Sequence, residues 1–530
     1  EVALAMEIFW LLCFVVSSLP LCLCTDSNKE PNTVPGRSVI VHLFEWRFDD
    51  IAEECETFLG PRGFGGVQTS PVNEHGIIFG DTVRRPWYER YQPVSYIIKN
   101  RSGNESEFRD MVRRCNQVGV RVYVDVVINH MTGGLEISKG TAGSSFNYLE
   151  LSYPAVPYGP EDFNRKEHCG TSSGGIENYD DAHQVRNCEL VGLRDLNLGR
   201  QHVRTKVADY LNRLIGFGVA GFRVDAVKHM WPADLEAIYA RLKDLSTEYF
   251  PANTRPFIYQ EVIDLGHGEA VTRWHYRHLG RITEFMYGAK LGAVLRKKPN
   301  MLLKYLTNFG ESWGFLPGGD AVVFVDNHDN QRGHGAGGAD ILTFFDPRLY
   351  KMATAFLLAW PYGLPRVMSS YRWPRDFRHG EDRNAWYGPP SNAEWNIEHV
   401  IRNRDNSCGG GWVCEHRWRQ IYNLVELHNI AGFMPVSNWW DNGYHAIAFS
   451  RGNATFLAIN NEDFRLDAVL QTSLPPGTYC DVISGSKTST GCSGRVFTVR
   501  ADGKVDLTVD NSWEDPMVAL HIGNAVATRG

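Results

Sequence analysis

Four short stretches of the chain end in side chains that can do chemistry. They are Val-Asp-Val-Val-Ile-Asn-His at 124–130, Gly-Phe-Arg-Val-Asp at 221–225, Tyr-Gln-Glu-Val at 259–262 and Phe-Val-Asp-Asn-His-Asp at 324–329. Each begins as an apolar, β-branched or aromatic run, the composition of a buried strand, and then turns ionisable or amidic. A buried strand that suddenly becomes polar has reached a ligand. Four such ends, well separated in sequence, predict one shared mouth lined with carboxylates, which is where a parallel barrel enzyme carries its active site.

The elements that would position these ends alternate along the chain. Strand-like runs at 38–44, 65–69, 120–128, 221–224, 257–261, 282–287, 321–325 and 366–369 are separated by helix-like stretches. In one of these Phe108, Met111, Val112 and Cys115 recur at helical spacing; in another Val203, Val207, Tyr210, Leu211 and Leu214 do the same. Eight strands alternating with helices predict an α/β fold, a closed (β/α)8 barrel, with an open doubly wound sheet as the alternative. Residues 131–196 break the alternation, are rich in Gly, Ser, Asn and Tyr, and read as an irregular inserted domain after the third strand. The barrel would therefore comprise residues 37–130 and 197–433. From 434 to 524 short alternating strands, at 445–450, 454–460, 494–499 and 504–509, predict a C-terminal antiparallel β-sandwich domain.

A chain of 530 residues has room for such a barrel and a further domain. Its net charge of -7 leaves no basic footprint, so nucleic acid is excluded as an expected partner. The short apolar run from Ile8 to Val16 and the small residues up to Cys24 read as a leader and secretory signal over 1–24 rather than a membrane span. A secreted, extracellular monomer is expected, with no membrane association after signal removal. Of 11 Cys, three (Cys13, Cys22, Cys24) fall in that leader and eight remain. Proximity in sequence suggests the pairs Cys169–Cys188, Cys408–Cys414 and Cys480–Cys492. That leaves Cys55 and Cys115, on two helices that would be neighbours in a barrel; buried free thiols are the other reading.

The motifs Gly-Phe-Arg-Val-Asp-Ala-Val-Lys-His at 221–229 and Asn-His-Asp-Asn-Gln-Arg-Gly-His-Gly at 327–335 resemble the α-amylase family of glycoside hydrolases, and within it the animal, chloride-dependent type. The resemblance implies a barrel domain A, an inserted domain B and a C-terminal domain C, the layout already reached from the pattern. It also implies a retaining endo-acting enzyme that hydrolyses internal α-1,4-glucosidic bonds of starch, glycogen and maltooligosaccharides. Asp225 would be the nucleophile, Glu261 the general acid/base and Asp329 the third carboxylate. Glu261 must then hold its proton near neutral pH, through burial or a neighbouring negative charge.

The same resemblance implies two ions. Arg223, Asn327 and Arg366 match chloride ligands. Asn129 and Asp195, with the main-chain carbonyls of Arg186 and His229, match a calcium site built of oxygens, as a hard cation prefers. Trp87, Tyr88 and Tyr91 resemble an aromatic platform for glucose rings, and His130, Arg223, Lys228, His229 and His328 resemble sugar-binding groups. His334 lies in a glycine-rich segment resembling a mobile substrate loop. A related α-glucosidase or transglycosylase, or a catalytically silent carbohydrate-binding protein, would share much of this pattern.

Overall fold

In a computed structural model, which describes residues 28–526, eight parallel strands close into a barrel. The leader expected at 1–24 lies outside the described residues. The strands are β1 (Ile40–Leu43), β2 (Gly66–Thr69), β3 (Arg121–Val126), β4 (Gly221–Val224), β5 (Phe257–Gln260), β6 (Arg281–Thr283), β7 (Ala321–Val323) and β8 (Leu364–Ser369). They follow one another around the ring, and β8 pairs back onto β1 with Ile40 opposite Arg366. Nearly every strand residue is buried, because helices cover the outside and side chains fill the inside; hence the continuous apolar runs in the sequence. Closure removes the doubly wound alternative.

The outer layer includes α1 (Phe48–Glu54), α2 (Glu105–Gln117), α3 (Ala182–Asn187, in the insertion), α4 (Gln201–Gly216), α5 (Pro232–Tyr239), α6 (Phe285–Leu295), α7 (Pro347–Ala359) and α8 (Arg419–Ala431). Helix α2 begins on a capping box: the Asn104 side chain accepts from Ser106 and Glu107 N–H, and Glu107 accepts from Asn104 N–H. It buries Phe108, Met111, Val112 and Cys115, the face its spacing predicted. Cys115 is bonded to Cys55 just beyond α1, and the other three disulfides are Cys169–Cys188, Cys408–Cys414 and Cys480–Cys492, the expected set.

Several strand boundaries differ from the sequence reading, two of them by more than a frayed end. The run 282–287 is two elements: β6 stops at Thr283, Glu284 caps the next turn by accepting from Met286 N–H at 3.2 Å, and Phe285–Tyr287 open α6. Both pieces are buried on all sides, so no polar position interrupts the run and periodicity cannot divide it. Strand β8 starts two residues before the expected 366, with Pro365 beside Val323.

The C-terminal domain is a sandwich. One sheet contains Val436–Asp441, Ala446–Arg451, Thr455–Asn460 and Met517–His521; the other contains Leu466–Gln471, Gly477–Cys480, Val496–Val499, Lys504–Val509 and Ala525–Val526. Their inner faces share one core that includes Phe456, Val518, Leu470, Val505 and Leu507. Trp439 and Trp440, on the first of these strands, have structural places. Trp439 stacks on Phe449 and meets Trp360 of the barrel edge-on, while Trp440 packs on the sandwich core.

Candidate active site

Parallel register brings the chemistry together. Arg223 in β4 sits opposite Asp125 in β3 and Tyr259 in β5. The ladder runs one residue past the strands: Asp225 N–H donates to Val126 O at 3.0 Å, and Glu261 N–H donates to Val224 O at 2.9 Å. Residues two apart in a strand share a face, so Arg223 and Asp225 both point into the barrel mouth. The Arg223 guanidinium then binds three carboxylates. Nη1 lies 2.8 Å from Asp125 and 2.6 Å from Asp225, and Nη2 lies 2.5 Å from Glu261. Asp225 and Glu261 are thereby held side by side on the two terminal nitrogens of one guanidinium. Ala226, next after Asp225, is held at φ +52° and donates its N–H to Glu261 Oε2 at 2.8 Å. A left-handed alanine costs about 1–2 kcal/mol, here in exchange for aiming both carboxylates.

Asp329 completes the group from the end of the β7 segment, with His328 Nε2 3.3 Å from its carboxylate. Three acids, Asp125, Asp225 and Glu261, thus contact one guanidinium, and Asp329 lines the same cleft as Asp225 and Glu261. Burial raises the pKa of each, and Arg223 opposes the rise. At Glu261 the negative charge of Asp225 adds to burial; at Asp329 that of Glu261 does. In a desolvated mouth these acids repel one another, so each holds its proton above the ordinary carboxylate pKa. That is what a general acid working near neutrality requires.

A cleft of about 520 Å³ lies over this cluster, lined by Asp225, Glu261, Asp329, Trp87, Tyr88, Tyr91, His130, Lys228, His229, His328 and His334, and on the insertion's side by Tyr179, Leu190, Val191 and Leu193. Trp87 is fixed by its indole N–H donating to Ala385 O at 2.9 Å, and Tyr91 by its hydroxyl donating to Asp125 at 3.0 Å. His130 and His229 are held near a pKa of about 4, chiefly by burial, and stay neutral. Their ring nitrogens meet the carbonyls of Tyr91 and Val185, both at 2.9 Å. Lys228 donates to Ile263 O at 2.9 Å and pairs with Glu269.

Arg223, expected among the sugar-binding groups, is the exception. It lies beneath the cleft rather than on its wall, with its side chain 2% exposed and occupied by carboxylates. Asp125, Glu269 and the insertion's contribution to the wall were not assigned from sequence. The signal for Asp125 was present, as a single acid inside the apolar run Val-Tyr-Val-Asp-Val-Val.

The residues matched to ions also converge. Asp195 bridges to His130, Leu196 N–H donates to Asn129 O at 2.9 Å, and α3 carries Arg186 toward the chain around His229. Asp195 is buried, its pKa is driven well up by desolvation, and its one side-chain donor is Asn164 Nδ2 at 2.8 Å. A buried acid so poorly compensated, among oxygens, fits a hard cation. Arg366 presents the opposite case. Its guanidinium is 3% exposed, donates to Gln68 Oε1 at 2.9 Å and, among the described residues, forms no ion pair. Gln68 Nε2 beside it is a buried donor without a hydrogen bond. This donor set fits an anion. Asn327, also matched to this ion, spends its amide oxygen on Asn330 N–H at 2.8 Å. Asp49, Asp50 and His399 offer a separate candidate metal site, with ligand atoms within 4.8 Å of one another; Arg47 and Arg402 already pair with its acids.

A carboxylate-lined mouth on a (β/α)8 barrel with an inserted domain and a C-terminal sandwich defines a glycoside hydrolase. The chain belongs to the α-amylase family. The family description "Alpha amylase, catalytic domain" matches residues 89–256, and "Alpha amylase, C-terminal all-beta domain" matches residues 437–523. The chain is 58% identical over 497 residues to the α-amylase of Oryzias latipes, covering 93% of this chain and 96% of that protein. It is 58% identical over 493 residues to the pancreatic α-amylase of Sus scrofa, with the same coverage of 93% and 96%. Among solved structures, wild-type α-amylase I from Eisenia fetida matches with a TM-score of 0.88 at 54% identity, over 92% of this chain and 98% of that one. A mutant of that enzyme, crystallised with maltohexaose, matches with a TM-score of 0.88 at 53% identity and the same coverage of 92% and 98%.

Proposed function

We propose that this protein is a secreted, retaining endo-α-amylase that cuts internal α-1,4-glucosidic bonds of starch, glycogen and maltooligosaccharides. The observation that carries this reading is that Asp225 and Glu261, at the floor of the cleft, are both held by one guanidinium. Inverting enzymes separate their carboxyls by about 6.5–9.5 Å to admit a water, whereas retaining ones bring them to about 5–5.5 Å; a pair gripped by the adjacent nitrogens of one guanidinium supports retention. Glu261 gives its proton to the glycosidic oxygen while Asp225 attacks the anomeric carbon, forming a glycosyl-enzyme. Glu261, now ionised, takes a proton from the water that releases the sugar. Asp329 and neutral His328 bind hydroxyls of the glucose being cleaved. Trp87, Tyr88 and Tyr91 supply ring faces beside it.

Asn129, Asp195 and the Arg186 and His229 carbonyls would hold calcium, whose charge would tie the insertion to the barrel. Arg366 and Gln68, with Arg223 and Asn327, would hold chloride, whose charge would favour the protonated form of Glu261. Disulfides in all three domains suit an oxidising, extracellular compartment. Among the described residues no helix is long and apolar enough to cross a membrane.

A starch digest resolved by product size tests the reading. A ladder of short α-anomeric maltooligosaccharides is expected; glucose alone would point to an exo-acting relative, and no products to a binding protein. In chloride-free buffer activity is expected to fall, and the basic limb of the pH profile to move to lower pH as Glu261 loses the anion. An unchanged profile removes the chloride assignment. Excess chelator is expected to lower the Tm by several degrees, reversed by added calcium. A ligand present at about 1,000 times its Kd stabilises the folded state by about 4 kcal/mol, so an unaltered melting curve would rule the calcium site out.

A further inference from the structure

Arg332 has no part in the proposed mechanism, yet its surroundings are unlike those of an ordinary buried arginine. It is 4% exposed and, among the described residues, makes no ion pair. Four aromatic rings enclose its guanidinium: Trp373 at 4.2 Å, Tyr371 at 5.0 Å, Phe44 at 5.2 Å and Trp87 at 5.7 Å. Ring quadrupoles face the charge, and the buried carboxylate of Glu45 acts on it only from beyond ion-pair distance. Nη1 donates to His328 O at 2.9 Å, while Nε and Nη2 are buried without a hydrogen bond.

The cage is not a remote part of the core. Trp87 is a wall of the cleft. Phe44 stacks on His328 at 5.0 Å, and the His328 ring meets Trp87 edge-on at 5.4 Å. The backbone N–H of Arg332 donates to Asp329 O at 3.0 Å. Immediately afterwards the chain becomes glycine-rich: Gly333, Gly335, Gly337 and Gly338 take φ of +83°, +72°, +99° and +52°, conformations that only glycine adopts freely. One side chain therefore touches the ring wall and the carbonyl of the His328–Asp329 corner, in the turn that precedes the glycine-rich segment.

We propose that Arg332 is a positioning residue, whose caged guanidinium holds Trp87 and the His328–Asp329 corner in one fixed relation and anchors the glycine-rich segment that carries His334. What rests on Trp87 follows from the amylase reading; the anchoring itself does not depend on it.

Two variants test the proposal. Arg332→Met keeps an apolar stem without charge, and Arg332→Lys keeps charge without the planar fork. At a temperature where circular dichroism shows each fully folded, kcat/KM on maltoheptaose is expected to fall at least fivefold in both, with KM rising more than kcat falls. A smaller change in folded variants overturns the proposal, since a purely structural residue would alter the Tm alone. Hydrogen exchange on the wild-type protein gives a readout that survives misfolded variants or an inactive enzyme. Amides of 330–332 are expected to exchange at least tenfold more slowly than those of 335–339. Equal rates would mean that no anchor exists at Arg332.

Discussion

Glu261→Gln is expected to lower kcat on starch by about 10⁴-fold, the upper end of what a positioned general acid/base contributes, while the protein stays folded. Gln occupies nearly the same volume and can still accept the Ala226 N–H, which now donates to Glu261 Oε2 at 2.8 Å. It cannot deliver a proton to the leaving oxygen. Burial and the charge of Asp225 hold the pKa of Glu261 above its ordinary value. A buried carboxyl in this condition destabilises the folded protein once the pH rises through its folded pKa and it must ionise. The amide removes that cost, so at neutral pH the Tm of the variant is expected to match or exceed that of the wild type. Maltohexaose binding, followed by calorimetry, is expected to persist. A variant retaining more than about one-hundredth of wild-type kcat would assign the proton to another group.

Arg223→Met is expected to have the largest effect on stability. Among the described residues Arg223 is the one cation in contact with Asp125, Asp225 and Glu261. Removing one partner of a buried pair costs about 3–5 kcal/mol because the other charge is left uncompensated, and here three acids lose it together. The sign with pH follows from linkage. These acids have folded pKa values above their unfolded ones, so the folded state binds more protons and loses stability as pH rises through that window. Without Arg223 the window extends further up. The deficit against wild type is therefore expected to be small near pH 4 and greatest above neutrality, readable as the Tm difference between the proteins across that range. A deficit independent of pH would mean that Arg223 acts through packing rather than charge.

Several features were legible without coordinates because they are local. Strand ends that turn from apolar to acidic marked Asp225, Glu261 and Asp329, and all three meet at one mouth. Alternation marked the barrel, and the loss of alternation marked 131–196. Helical spacing marked the buried face of α2. Other features needed the folded chain. The segment 282–287 carries one apolar run through a strand and a helix, since uniform burial erases the period of both. Strand Val436–Asp441 was missed because its residues are all of intermediate exposure, with none of the alternation that marks a half-buried strand.

The amino-acid sequence by itself determined which residue types end each barrel strand, and with them the chemistry available: three acids, histidines and aromatic faces. Short separations also suggested three of the cysteine pairs and left Cys55 and Cys115 for the fourth, which the fold then joined. Only the tertiary structure decided partnership. Arg223 was matched to a chloride ligand and a sugar-binding group, but its place between Asp125, Asp225 and Glu261 depends on parallel register across three strands. Arg366 and Arg332 look alike in the sequence, yet one lies beside an amide with an unused donor and the other inside four rings. A side chain's type is written in the chain, whereas its counter-charge comes from segments tens or hundreds of residues away that meet only when the barrel closes.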